Sequence, residues 1–180
     1  MMATLSCILT AGFVWIQAHA AAPGPVAPVY WQPATPTQTK QLGRPRIQVR
    51  QYRVWRLNLS AVRKLLAAAT AEAGPELELP LPDGSLVRFR MRTTSVMAPA
   101  LAAKYPELQT YGGQEVGQPT NDVRLEITPT GLHAMLVRQG HTYLIEPYRQ
   151  HDTTYYLCFD KAKLPAGSKQ RFEAPPVSAD

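Results

Sequence analysis

The chain has 180 residues, 45% of them hydrophobic, and 19 Lys and Arg stand against 13 Asp and Glu for a formal charge of +6. That length supports one domain with a real core, and the modest basic excess favours acidic partners without demanding them. Only one cysteine, Cys158, follows the first twenty residues, which excludes an internal disulfide in anything that begins after them.

Those first twenty residues, MMATLSCILTAGFVWIQAHA, carry no charge, hold an apolar run from Leu5 to Ile16 and end in Ala18-His19-Ala20. The small-x-small ending predicts a secretory signal peptide over 1–20. The run is shorter than the roughly 20 residues that span a bilayer, so no membrane attachment of the mature form is expected. Cys7 lies near the start of the apolar run and does not follow it, the wrong order for a lipoprotein site. Residues 21–45 hold six prolines with Gln and Thr and little periodic apolar pattern, and read as a flexible leader. An ordered domain is expected over 46–160, with a flexible Pro-containing tail at 161–180.

Within the domain, RIQVRQYRVWRLNL alternates and is rich in β-branched and aromatic residues, which predicts a strand from Ile47 to Leu57. Ser60 is placed to cap a helix in which Val62, Leu65, Leu66 and Ala69 share one face, with Gly74-Pro75 as its stop. LELPLPDGSLVRFRM reads as a hairpin around Asp83-Gly84, its first arm marked as an edge strand or loop by Pro80 and Pro82. A short helix is expected at Ala98 to Lys104, then a strand from Leu108 to Tyr111 that Gly112-Gly113 bends or bulges. Three apolar runs between Asn121 and Tyr148, separated by Thr-Pro-Thr-Gly and Gln139-Gly140, predict an antiparallel meander, and TTYYLCF adds a last strand. The expected class is α+β: an antiparallel meander of about seven strands with one main helix and a short second one.

No His-Glu-x-x-His occurs, and His133, His141 and His151 are eight and ten residues apart, a spacing that fits no zinc pattern. Each reads as a solvated or structural histidine, with a ligand assembled by the fold as the alternative. There is no Gly-x-Ser-x-Gly elbow and no phosphate-binding glycine loop. Glu76, Glu78, Glu107, Asp122 and Glu126 read as exposed carboxylates between apolar neighbours. Cys158, inside YYLCF, reads as a buried small side chain, against the alternative of a thiolate that caps a zinc ion. Arg44, Arg46, Arg50, Arg53 and Arg56 fall within thirteen residues with Tyr52 and Trp55 interleaved. On a strand they divide between two faces, Arg53 with Trp55 and the others opposite. A solvated strand face is therefore expected, and no nucleic-acid partner.

Four stretches in order, LPLPDGSLVRFRM, SVMAPALAAKYPELQTYGGQ, PTNDVRLEITPTGLHAML and YLIEPYRQHDTTYYLCF, together resemble the N-terminal prodomain-like region of secreted, reprolysin-like zinc metalloproteases of bacteria. The resemblance runs from about Leu79 to Phe159, with weaker support from Tyr52 to Ala69. It implies a prosegment that assists folding and latency of a zinc peptidase domain. The zinc-binding motif of that domain is absent from this chain, so the resemblance implies a truncated precursor or a stand-alone relative, and it carries over no catalytic residue.

The expectation is therefore a secreted or periplasmic, non-catalytic domain without cofactor or metal, whose partner is a zinc metalloprotease catalytic domain in cis or in trans. The alternative is an exported binding module for an anionic surface or polymer, and an unrecognised hydrolase comes third. Tyr111, Gly112 and Gly113, with Arg50 and Arg56, are the candidate partner interface; an ordinary connector at the glycine pair is the alternative.

Overall fold

A computed structural model describes residues 29–95 and 98–165, and the expected signal peptide lies outside the described residues. The elements, in chain order, are β1 (Trp31–Pro33), α1 (Pro36–Leu42), β2 (Arg53–Leu57), α2 (Leu59–Leu66), β3 (Glu76–Pro80), β4 (Leu86–Thr93), α3 (Pro99–Lys104), β5 (Gln109–Glu115), β6 (Gln118–Thr128), β7 (Gly131–Arg138), β8 (His141–Pro147) and β9 (Tyr155–Asp160). A 3-10 turn follows at Lys161–Lys163.

All nine described strands form one antiparallel sheet in the order β1-β2-β9-β8-β7-β6-β5-β4-β3. From β3 to β9 it is a meander of sequence neighbours, and β2 and β1 then add to the β9 edge. The sheet curls until its two edge strands, β1 and β3, approach within 8 Å between Cα atoms, so the architecture is nearly a closed barrel. The α+β class and the meander agree with the sequence reading; nine strands form instead of about seven.

Strict alternation fills the interior. On β6, Val123, Leu125 and Ile127 point inward, and on β7, Leu132, Ala134 and Leu136 meet them. Phe89 and Met91 of β4, Leu77 and Leu79 of β3 and Trp55 of β2 complete the same core. Trp31 packs edge-on to Tyr156, ring centroids 5.6 Å apart, and so ties β1 to β9 across β2. One end of the barrel is covered by α2. Asn58 caps that helix, its Oδ1 accepting from the Ala61 amide at 3.1 Å, and Val62 and Leu66 insert into the core. Arg63 also donates to the Thr128 carbonyl at 2.8 Å.

A second, smaller core lies outside the barrel. Leu157 and Phe159 alternate with the inward Tyr156 and Cys158, and they pack with Val54, Val49 and Tyr148. Residues 34–49 cover this face: Leu42 and Ile47 pack on it, and the Tyr148 hydroxyl donates to the Gly43 carbonyl at 2.5 Å.

Several expectations need correction. Part of the segment read as a flexible leader is ordered, because β1 pairs with β2 and α1 has a full capping box. In that box the Gln38 backbone N–H donates to the Thr35 hydroxyl and the Thr35 backbone N–H to the Gln38 side-chain Oε1. The strand expected from Ile47 begins only at Arg53, since β9 offers ladder partners from Arg53 to Arg56 while Ile47 and Val49 serve the outer core without pairing. The helix cap is Asn58 in place of Ser60, whose hydroxyl instead donates to the Asn58 side chain, and α2 stops at Leu66, well before Gly74. Part of the expected tail is also ordered: Asp160 caps the 3-10 turn and Leu164 packs on the outer core, while residues 166–180 lie outside the described residues. Neither bend nor bulge occurs at Gly112-Gly113; β5 runs straight through them, and the register shifts at Gln114/Glu115.

Candidate functional site

What the 34–49 segment leaves uncovered is the outer face of β4 to β8, and there the structure has an open groove of about 610 Å³. Its position follows from strand parity. Tyr111 and Gly113 point into the barrel, so Gly112 between them faces out. Gly112 pairs with Arg92 on one side and Arg124 on the other, which sets two arginines on either side of a residue without a side chain. The same row continues through Met135 of β7 and Leu144 of β8.

The two glycines answer to different constraints. A Cβ on Gly113 would lie 2.8 Å from the Met91 sulfur and 2.9 Å from the Arg90 carbonyl, so the core admits no side chain there. At Gly112 the nearest atom would be the Thr94 methyl at 3.1 Å, and the space above is the groove.

Charges along the groove are ordered in rows. Next to the arginine row lies Thr110, Glu126, His133 and Glu146, in register on β5 to β8. His133 Nδ1 is 2.7 Å from Glu146 Oε2, and Arg46 donates to the same oxygen at 3.1 Å. The hydrogen bond to Glu146 holds the His133 pKa above its ordinary 6.5, with partial burial and Arg46 opposing the rise. This ion triad marks the border between the covered and uncovered parts of the sheet. On the other side of the arginine row lie Gln114 and Asp122.

A different polar cluster sits inside one barrel mouth. Glu115, 8% exposed, accepts from Asn121 Nδ2 at 2.6 Å and from Arg138 Nε at 3.0 Å, while Asn121 Oδ1 accepts from the Gln139 amide. Arg53 packs its guanidinium over Gly84 of the β3–β4 turn at the same mouth, and the Ser85 amide and hydroxyl both donate to Asp83, holding that carboxyl below its usual range. These bonds close the mouth and are internally satisfied.

The candidate interface residues separate. Gly112 is on the groove floor, but Tyr111 is 4% exposed and Gly113 faces the core, so neither presents a side chain to a partner there. Arg50 borders a hollow with Lys163 and Leu164, and Arg56 another beside Asn58 and Thr154, both apart from Gly112. Sequence reading missed Arg92 and Arg124, whose only signal was outward parity on strands whose pairing was unknown. It also missed Glu115, which shares the inward parity of Tyr111.

Of the histidines, His133 bonds Glu146, His141 bonds Asp160 at 3.1 Å and stacks on Tyr143, and His151 occupies a loop with φ of 64°. Among the described residues no three His, Cys, Asp or Glu side chains gather as a metal ion requires. No helix among them is long and apolar enough to cross a membrane. Compared with known proteins, the chain matches no protein-family model, no curated protein and no solved structure.

Proposed function

We propose that this chain is an exported, non-catalytic docking domain of prosegment type, which assists folding or latency of a zinc metalloprotease domain by seating on it. The observation that carries the reading is the groove over Gly112: an accessible stretch of backbone on a rigid sheet, bordered by both signs of charge. Such a surface positions another chain without contributing a reacting group. Beside it stands the resemblance of Leu79 to Phe159 to a metalloprotease prosegment, which supplies the class of partner.

The test is to refold zinc peptidase domains from the same genome with and without the full chain. The expected result is a higher yield of active enzyme and stoichiometric inhibition while the chain is present. No change in yield and no inhibition with any of them would overturn the reading.

A second reading, a binding module for an anionic surface or polymer, draws on Arg92 and Arg124, neither of which belongs to any ion pair among the described residues. Retention on heparin beads, lost at moderate salt, is what it requires.

A further inference from the structure

We propose that Arg92 and Arg124 form a receptor for a single carboxylate, and that the segment docked in the groove is an acidic peptide whose glutamate or aspartate is flanked by an apolar residue. This names the chemistry of the partner segment and rests on the docking reading.

Neighbouring strands lie about 4.8 Å apart, so the two arginine Cα atoms, on either side of Gly112, are separated by about 10 Å. A side chain at position 112 would stand between them; glycine leaves that space open, and both arginines line the groove above it. Both arginines are exposed. On the same and neighbouring strands Arg88 and Arg90 pair with Glu76 and Arg138 pairs with Glu115, whereas no ion pair among the described residues includes Arg92 or Arg124, nor Arg53 or Arg56 of β2. Long arginine side chains rooted about 10 Å apart can both reach a carboxylate seated over Gly112, which they would hold with charge-assisted hydrogen bonds.

The surroundings select the rest of the ligand. Asp122 and Glu126 lie two residues to either side of Arg124 on the same outward face of β6, so a second negative group along the strand is repelled. That pattern admits one carboxylate and disfavours a polyanion. Along the row, half-buried Met135 on the next strand and Leu144 on the one after it offer an apolar contact beside Arg124. A flexible thioether suits a side chain of variable shape.

The probe is a fluorescein-labelled peptide Gly-Leu-Glu-Leu-Gly, amidated at its C-terminus, compared with its Gln counterpart by fluorescence anisotropy against the full chain. The Glu peptide is expected to bind, with affinity lowered about tenfold by the Glu-to-Gln change or by either Arg92→Ala or Arg124→Ala, as loss of one charge-assisted contact implies. Both substitutions are at exposed positions, and an unchanged melting temperature confirms that the fold is intact. Equal binding of both peptides, no binding of either, or stronger displacement by heparin oligosaccharide than by free Glu peptide would overturn the inference. The double variant R92A/R124A in the peptidase refolding assay separates the two readings. If it assists and inhibits like wild type, the carboxylate receptor is wrong and docking stands; if wild type fails on the peptidase yet binds the Glu peptide, the receptor stands and the peptidase reading is wrong.

Discussion

The Sγ of Cys158 on β9 lies 3.1 Å from the carbonyl oxygen of Pro80 at the end of β3, a hydrogen bond inside the barrel between strands at opposite ends of the meander. Pro80 is where β3 leaves its ladder, and the thiol satisfies a carbonyl there that apolar neighbours would otherwise strand. Replacing Cys158 with Ala is expected to lower stability by about 1–2 kcal/mol through the unmet carbonyl and the small void. Urea denaturation checks it. Burial also pushes the thiol pKa up, so native protein should resist a thiol-specific reagent and react only after unfolding. Rapid labelling of the native state would refute this.

Glu115 is buried with two donors, and removing one of them strands a carboxylate. Arg138→Ala is expected to cost about 3 kcal/mol, near the lower end for breaking a buried pair because the arginine keeps some solvent contact. Replacing both members, E115Q with R138L, keeps an acceptor for Asn121 Nδ2 and should recover part of that loss. A double variant less stable than R138A would show that the pair is itself stabilising.

His133 gives the fold a pH dependence of definite sign. Its folded pKa lies above the unfolded value of 6.5, so the His133–Glu146 contact contributes fully below that value and fades as pH rises through the folded pKa. The other charges facing it are Glu126, which reinforces the rise, and Arg46, which opposes it. Compared with H133Q, wild type should therefore hold its stability advantage at pH about 5.5 and lose it by about 8.5. Chemical denaturation at both pH values decides; an advantage that grows toward alkaline pH has the wrong sign.

The glycine pair predicts a sharp contrast between adjacent positions. Gly113→Ala forces a Cβ against the Met91 sulfur and the Arg90 carbonyl, and should destabilise by about 1–3 kcal/mol. Gly112→Ala brings a Cβ to 3.1 Å from the Thr94 methyl and 3.9 Å from the Val123 carbonyl oxygen, so melting should change little while the groove floor rises between Arg92 and Arg124. Thermal melts of the two variants provide the comparison.

Much of the sheet was legible because burial follows a period of two. Val123, Leu125 and Ile127, then Leu132, Ala134 and Leu136, alternate without interruption, and turn residues separate them. β1 was illegible for the opposite reason: Trp31-Gln32-Pro33 is too short to show a period, and its order comes from pairing with β2 and from burial of Trp31. In α1 the Thr35–Gln38 box was present in the sequence, but the surrounding prolines dominated the reading. Ile47 and Val49 alternate as a strand would, yet they pack on an outer core that exists only once β8 and β9 are in place. The groove was the least legible feature. Arg92, Gly112 and Arg124 come from three strands, and only their register makes them neighbours.

The β2 ladder sets the order in which this domain is assembled. Arg53 faces Cys158, so the early strand finds its partner only after the whole meander from β3 has been laid down. Local hairpins close quickly, while a contact across so long a loop carries a large entropic delay. Until β9 arrives, β2 has only the short β1 beside it, and its other edge lacks a partner. Until then that margin is open to pairing with another chain.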